Sequence, residues 1–323
     1  MTQSHADSYY ALLDGDHSHL PAEEFLSLIR PSMHEQQKRI IRCDHVDQAL
    51  LSRLAYTRLL LAPTASAESV DKLLRRLPER RPARFSLTNH AQKGLGSILR
   101  AEMRDISVAH EMPKEEYHLI MWDNTLVLCR QVWKNTKNFL HRRPHLRPQK
   151  HPASIHPKLA RAAINCAGPS IQSVYDPMCG VGGIILEAAC MGLDIHGSDI
   201  DPISVRKAVL NLLHYHTQGI IPLGRESLRK QIFCADAMHT TQKADLIITD
   251  IPYGISTRSP GDFCSFVSNF LAHAKSLTDT LCLIAPSFVD LDHILPKQGW
   301  IAEKDFTIYI HKSLTKKLYL LRQ

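Results

Sequence analysis

The stretch IQSVYDPMCGVGGIILEAACMG, residues 171–192, predicts how the second half of the chain folds. IQSVYD has the pattern of a strand, and GGIILEAACMG has the pattern of a helix that ends at Gly192. The glycines at 180, 182 and 183 between them would let the backbone approach a ligand closely. Their spacing departs from the dinucleotide-binding fingerprint, so the turn alone is as compatible with a structural loop as with a ligand site.

The rest of this half repeats the same alternation of strand and helix. The strand-like runs LDIHGSD, QIFCAD, ADLIITD and TLCLIAP alternate with helical runs, and GWIAEKDFTIYIHKSLTKKLYLLRQ has the pattern of a closing β-hairpin. This order predicts an α/β fold, a doubly wound sheet to which the terminal hairpin adds an antiparallel strand. Ligands of such sheets bind beyond the carboxyl ends of the strands.

An aspartate stands at each of three successive strand ends. Asp176 suits a ligand with its own ammonium group, and Asp199 follows 23 residues later, close to the ~20-residue offset of a ribose-binding acid. Asp236 could accept a hydrogen bond from an adenine amino group. Singly, each acid could cap a helix; together they predict a site for S-adenosylmethionine. The predicted cofactor-binding residues are Asp176, Met178, Cys179, Gly180, Gly182, Asp199, Ile200, Asp236 and Ala237.

The fourth strand ends in ITDIPYGIST, residues 248–257, and this segment supplies the candidate catalytic residues. The Asp250 carboxylate and the Ile251 carbonyl, which Pro252 restrains, could accept hydrogen bonds from an exocyclic amine. Tyr253 could stack on the plane of an extruded base. Two acceptors would draw the amine hydrogens toward a geometry that frees the nitrogen lone pair for a methyl group. A tight turn with a packed tyrosine is the structural alternative.

Composition limits the remaining classes of protein. The net charge is +7, and residues 51–150 carry 19 Lys and Arg against 9 Asp and Glu, which favours a polyanion partner or a solvated basic surface. The eight cysteines form no C-x-x-C pair, so neither a zinc site nor a disulfide framework is expected. No apolar run approaches the ~20 residues of a membrane span, and the first residues are not of signal-peptide type, so a cytoplasmic protein is expected.

The motifs DPMCGVGG and DIPYG, preceded by HPASIHPKLARAAINCAG, resemble those of the THUMP-domain RNA methyltransferases, above all the archaeal and eukaryotic tRNA guanosine-10 N(2)-methyltransferases. The resemblance implies a ferredoxin-like module over residues 1–50, a THUMP module that binds tRNA over 51–133 and a Rossmann-like class I methyltransferase domain over 153–323. Residues 134–152, rich in proline and cations, read as an extended linker. Expected phosphate contacts are Arg75, Arg76, Arg80, Arg81, Arg84, Arg142, Arg143 and Arg147. Some relatives also work with a small zinc-binding activator subunit.

One departure from the family pattern is clear. The usual run is Asp-Pro-Pro-Tyr, and Ile251 replaces its first proline. The proposed chemistry needs the backbone carbonyl at this position and not the ring, so activity is expected to survive. The resulting hypothesis is transfer of one or two methyl groups to the 2-amino group of a tRNA guanosine. Its alternatives are another tRNA guanosine, an adenine amine, or an RNA-binding protein with a silent methyltransferase half.

Overall fold

The computed structural model describes residues 8–69, 72–73, 83–87, 115–137, 139–151, 154–252, 260–289, 291–311 and 314–323. The chain divides into two compact units. The first comprises the described parts of residues 1–16, 30–51 and 57–136, and the second comprises 17–29, 52–56 and the described parts of 137–323. Two segments of the N-terminal region therefore belong to the unit that holds most of the C-terminal half.

The first unit is built on a seven-stranded sheet whose strand order is β2-β3-β1-β4-β7-β6-β5. Its strands are β1 (Tyr9–Leu13), β2 (His34–Gln37), β3 (Ile40–Cys43), β4 (Thr57–Ala67), β5 (Ala83–Leu87), β6 (Glu115–Trp122) and β7 (Thr125–Lys134). Neighbouring strands are antiparallel except β5 and β6, which run parallel. Asp123 and Asn124 form the turn between β6 and β7, with both residues in the left-handed region at φ 46° and 59°.

The second unit contains the predicted doubly wound sheet, with strand order β10-β9-β8-β11-β12-β14-β13. Its strands are β8 (Ser173–Asp176), β9 (Asp194–Asp199), β10 (Ile232–Cys234), β11 (Leu246–Asp250), β12 (Thr280–Pro286), β13 (Ile301–His311) and β14 (Leu314–Arg322). The first five in this order are parallel to one another, and the terminal hairpin adds β14 antiparallel to β12, as the sequence predicts. The order reverses between β8 and β11, which is where a ligand crevice is expected.

Helices cover this sheet with apolar side chains. They are α1 (Leu20–Ile29), α2 (Pro157–Cys166), α3 (Gly183–Cys190), α4 (Pro202–Thr217), α5 (Arg225–Lys230) and α6 (Pro260–Ala274). One cluster of buried residues includes Ile164, Ile185 and Leu212, and a second includes Phe270 and Trp300. Asp201 caps α4 by accepting hydrogen bonds from the amides of Ile203 and Ser204, and Pro202 follows it as the first residue of the helix.

The domain boundaries differ from those expected from sequence. The first sheet crosses the boundary placed between residues 50 and 51, because β1 pairs with both β3 and β4. The segment 134–152 is divided between the two units and forms short 3-10 helices at Phe139–Arg142 and Pro144–Leu146. Strand pairing between distant residues sets these boundaries, and local sequence patterns do not contain it. Within the described residues, no helix is both long and apolar enough to cross a bilayer.

Candidate active site

Four aspartates lie at the carboxyl edge of the parallel strands in the second unit. Asp176 is the last residue of β8, Asp199 of β9 and Asp250 of β11, while Asp236 comes two residues after β10 ends. These strands are neighbours in the sheet, so their carboxyl ends share one edge. The predicted placement of all four acids at this edge is confirmed.

The glycine-rich turn after β8 brings open backbone to the same edge. Gly180 and Gly182 have φ of +52° and +80°, in the left-handed region that favours glycine. A Cβ built at Gly180 would meet no described atom within 4 Å, whereas at Gly182 it would lie 3.1 Å from the Cβ of Ala208 on α4. Gly180 therefore leaves space beside the turn, and Gly182 allows close packing of α4.

Asp176 is the most deeply buried of the four acids, at 2% exposure. The Met178 amide donates a hydrogen bond to its Oδ1 at 3.1 Å. Burial raises the pKa of Asp176 to about 8, and the nearby carboxylates of Asp199 and Asp250 also raise it. A ligand ammonium at this position would stabilise the ionised form, so the group fits the methionine end of S-adenosylmethionine.

Asp199 and Asp236 are bound by backbone amides that fix their orientation. Asp199 accepts from Gly180 N at 2.8 Å and from Asp201 N at 3.0 Å, which ties the end of β9 to the glycine turn. Asp236 accepts from Met238 N at 2.9 Å and lies 3.1 Å from Nδ1 of His239. Each carboxylate oxygen can accept more than one hydrogen bond, so both acids can still bind a ligand hydroxyl or amine.

The remaining predicted cofactor residues lie in the same three segments. Ile200 presents 71% of its surface directly after Asp199, and offers an apolar face where the planar base of the donor is expected. Met178 is half-buried, and Cys179 and Ala237 are buried. The open glycine turn, the ordered acids and the exposed Ile200 together fit S-adenosylmethionine.

Ile251, the residue that departs from the family motif, makes a backbone hydrogen bond at the end of β11. The Ile251 amide donates to the Ile284 carbonyl at 2.9 Å, which extends the pairing of β11 with β12 by one residue. A proline at this position could not donate that hydrogen bond. The Ile251 side chain is fully buried in the apolar cluster around Phe270. Pro252 is exposed, and the predicted Tyr253 lies outside the described residues.

Lys316 is a site residue that the sequence analysis did not identify. Its Nζ lies 2.7 Å from Oδ1 and 2.5 Å from Oδ2 of Asp250, and both side chains are largely buried. The available signal was its register in the hairpin, because Lys316, Leu318 and Leu320 alternate on one face of β14 and the two leucines are fully buried. A lysine in the register of core residues suggests a specific buried partner.

The arginines predicted to contact phosphates differ in their exposure, and some of them lie outside the described residues. Arg142 and Arg147 are buried, so their prediction as tRNA contacts is wrong. Arg142 pairs with Glu187 through Nε at 2.6 Å and Nη2 at 3.0 Å, and Arg147 donates to the carbonyls of Arg142 and Ile155. Arg143 is exposed. Arg84 lies in β5, where only the backbone is described, and Arg75, Arg76, Arg80 and Arg81 lie outside the described residues.

Comparison with known proteins agrees with this geometry. Residues 144–316 match the UPF0020 family, described as an RMKL-like methyltransferase domain. The tRNA (guanine(10)-N2)-dimethyltransferase of Methanothermobacter thermautotrophicus is 32% identical over 238 residues, which cover 72% of this chain and 68% of the relative. The enzyme of the same name from Methanocaldococcus jannaschii is 28% identical over 235 residues, covering 72% of this chain and 64% of that protein.

A solved structure has the same fold over nearly the whole chain. The crystal structure of TrmN from Thermus thermophilus superposes with a TM-score of 0.55 and 17% identity, covering 98% of this chain and 99% of that one. The match to the UPF0020 domain takes in the glycine turn and all four acids of the carboxyl edge. The chain therefore belongs to the UPF0020 methyltransferase family and, within it, to the group of the tRNA (guanine(10)-N2)-dimethyltransferases.

Proposed function

We propose that this chain is a tRNA methyltransferase that transfers one or two methyl groups from S-adenosylmethionine to the exocyclic 2-amino group of a guanosine at tRNA position 10. The observation that carries the proposal is the carboxyl edge on which Asp176, Asp199, Asp236 and Asp250 meet. The names of the relatives, which match 72% of this chain, support the choice of nucleotide.

Residues at the ends of β8, β9 and β10 would hold the methyl donor. Asp176 binds its ammonium group, Asp199 its ribose hydroxyls and Asp236 its adenine amine, while Gly180 gives it backbone access. When bound, the donor supplies a methyl group whose bond to sulfur breaks, with the electron pair remaining on sulfur, as the bond to the substrate nitrogen forms. Its ammonium group would favour the ionised form of Asp176, so we expect binding to release a proton near neutral pH.

Asp250 and the backbone of Ile251 would hold the acceptor. The 2-amino nitrogen of guanine shares its lone pair with the ring, so it is a weak nucleophile until its hydrogens are drawn out of the ring plane. The Asp250 carboxylate accepts a hydrogen bond from one of these hydrogens and the carbonyl of Ile251 accepts one from the other. Tyr253 would stack on the guanine ring. The nitrogen loses one proton after methylation, and the ionised carboxylate lies where that proton leaves.

The proposal for tRNA binding rests on the basic charge of residues 51–150 and on the family's ferredoxin-like and THUMP modules. Arg143 is an exposed contact candidate beside the catalytic domain, together with the arginines at 75, 76, 80, 81 and 84. A small zinc-binding activator subunit is a further proposed partner. Because the proposed substrate is tRNA, we place the activity in the cytoplasm.

Isotope-labelled S-adenosylmethionine tests the substrate class. We expect label in undermodified tRNA and none in DNA of matched length, because the proposed acceptor is a tRNA guanosine. Asp250→Ala is expected to abolish transfer while donor affinity, measured by calorimetry, changes little. Asp199→Ala is the matched control, since loss of an acid on the donor side should weaken donor binding instead.

Three outcomes would overturn the proposal in different ways. Label in an RNA adenine, or in DNA, would move the activity to another acceptor class. Label in a guanosine at another position would correct the site but keep the chemistry. Donor binding without transfer to any tRNA, with or without an activator subunit, would support the silent RNA-binding alternative.

A further inference from the structure

The pair formed by Lys316 and Asp250 joins strands that are not neighbours. β12 lies between β11 and β14, and the pairing registers place Asp250 beside Ile284 and Ile284 beside Leu318. Lys316 is two residues before Leu318 on β14 and therefore lies on the same face of the sheet. Its side chain reaches Asp250 across the end of β12, with Nζ at 2.5 and 2.7 Å from the two carboxylate oxygens.

Burial makes this contact different from an ordinary surface ion pair. The side chain of Lys316 is 7% exposed and that of Asp250 is 16% exposed. A lysine removed from water to this degree is costly unless it has a charged partner, whereas exposed pairs contribute little. The adjacent Lys317 provides a contrast, because its Nζ is 3.5 Å from the half-exposed carboxylate of Asp305 and is itself more exposed.

The charges around Asp250 require such a cation. Lys316 on β14 and Asp176 on β8 are both described ionisable groups that interact with Asp250. Burial raises the pKa of the Asp250 carboxyl, and the ammonium group of Lys316 opposes that rise. Without the lysine, burial would favour the protonated acid, which has lost one of its acceptor sites and gained a donor.

We propose that Lys316 is a positioning residue of the methyl transfer: it keeps the Asp250 carboxylate ionised and oriented so that the carboxylate accepts a hydrogen bond from the target amine. The inference rests on the proposed function, since it assigns Asp250 to the acceptor. Lys316 has both carboxylate oxygens within hydrogen-bond distance of one ammonium group, which ties the end of the Asp250 side chain to β14. The other lone pairs of these oxygens remain directed elsewhere and can take the amine hydrogen.

The first test is the pH dependence of kcat in Lys316→Met at saturating donor and tRNA. Removing an opposite charge at this distance raises a carboxyl pKa by about 1–3 units. We therefore expect the acidic limb of the profile to move upward by at least about one unit, so that the loss of rate is largest at acidic pH. The rate should recover as the pH rises, and the KM for the donor should stay unchanged.

Three further variants separate charge from packing. Lys316→Gln keeps an N–H donor without the charge, so it should shift the pH profile as Lys316→Met does. It replaces Lys316→Met in the test if the methionine variant fails to fold. Lys316→Arg keeps the charge and can bind a carboxylate through two N–H groups, so it should restore the wild-type midpoint. Lys317→Met changes the neighbouring lysine in the same way and should leave the profile unchanged.

A second test needs no activity and so distinguishes failure of this inference from failure of the proposed function. The Asp250 carboxyl carbon can be titrated by NMR in protein labelled at the aspartate carboxyl carbons, with its signal assigned by its loss in Asp250→Asn. Its midpoint should rise in Lys316→Met and Lys316→Gln and stay at the wild-type value in Lys317→Met. Wild-type midpoints in folded Lys316→Met or Lys316→Gln would overturn the inference, and so would a rate loss that is equal at every pH. Absence of transfer by the wild-type protein would instead count against the proposed function.

Discussion

Arg142 and Arg143 are neighbours in sequence with opposite environments. Arg142 is 6% exposed and pairs with Glu187, which is fully buried and also lies 3.2 Å from Nε of Arg161. Arg143 is exposed. Charge counted along a sequence does not distinguish an arginine that neutralises a buried glutamate from one that can contact RNA.

This difference predicts separate effects of two alanine substitutions. Arg142→Ala should lower the free energy of unfolding by about 3 kcal/mol, because it leaves the buried Glu187 with one cation fewer. Arg143→Ala should change the free energy of unfolding by less than about 0.5 kcal/mol and should weaken tRNA binding. The slope of the logarithm of the tRNA binding constant against the logarithm of salt concentration should become shallower by about one. Denaturant unfolding and binding titrations at several salt concentrations measure both. Equal stability of the two variants would contradict the assignment.

The pKa of Asp176 predicts a pH dependence of stability in the protein without donor. The pKa is about 8 in the folded protein against an ordinary 3.8, so the group stabilises the fold fully below pH 3.8 and loses this contribution as the pH rises through 8. Within that window the loss approaches about 1.4 kcal/mol per pH unit. Asp176→Asn should remove this part of the slope, as measured by denaturant unfolding between pH 5 and 8.

Asp236→Asn is the control for this prediction. It makes the same chemical change at the same edge of the sheet, in a side chain that is 41% exposed. A change of slope that comes from the substitution itself, and not from the burial of Asp176, would therefore appear in both variants. If Asp176→Asn kept the wild-type slope, the raised pKa of Asp176 would be refuted.

At the scale of elements, the turn from β8 into α3 depends on glycines with different roles. Gly180→Ala should lower the free energy of unfolding by about 1–2 kcal/mol, the cost of holding an alanine in the left-handed conformation. No steric contact adds to this cost, because the new Cβ would meet no described atom within 4 Å. Gly182→Ala adds a contact at 3.1 Å with Ala208 of α4 and should destabilise the protein more. If the donor occupies the space beside Gly180, Gly180→Ala should also weaken donor binding.

Gly219 provides the matched control for this element. It follows α4 at φ +70°, and a Cβ built there would meet no described atom within 4 Å. Gly219→Ala should therefore cost about as much stability as Gly180→Ala and leave donor affinity unchanged, as measured by thermal unfolding and calorimetry. Equal donor affinities in the two variants would indicate that the ligand does not approach Gly180.

At the scale of the whole molecule, the second unit depends on segments from the N-terminal region. Glu24 of α1 is fully buried and accepts hydrogen bonds from Ala55 N at 2.7 Å, Tyr56 N at 2.8 Å and Asn165 Nδ2 at 2.7 Å. Lys304 of β13 binds Glu23 and Ser27 of the same helix. These contacts join α1 and residues 52–56 to α2 and β13.

A chain that begins at residue 137 is therefore expected to lose cooperative unfolding, although it contains every proposed catalytic residue. It lacks α1 and the 52–56 segment, so apolar surface of α2 and the amide of Asn165 lose their partners. Thermal unfolding followed by circular dichroism, with the full chain as reference, measures this. A fragment with the same unfolding midpoint as the full chain would contradict the division into units.

These contacts also explain how much of the molecule the sequence predicts. Local periodicity and the rule that parallel strands share a carboxyl edge predict the edge that joins the four acids. They also predict the strands and helices after residue 171, except the short α5. The place of α1 in the second unit, the burial of Arg142 and the pairing of Lys316 with Asp250 depend on contacts between residues far apart in sequence. Such contacts leave little local signal, apart from the core register of Lys316 in β14.

The central claim is that the site at the carboxyl edge of the parallel strands transfers methyl groups to the 2-amino group of a tRNA guanosine. Nucleoside mass spectrometry tests this claim most directly. Unmodified tRNA would be incubated with the purified chain and S-adenosylmethionine, digested to nucleosides and compared with the same reaction by Asp250→Ala. We predict N(2)-methylguanosine or its dimethyl form with the wild type and neither with the variant. Product formed equally by both proteins would contradict the role of Asp250, and methylation found only on another base would contradict the claim itself.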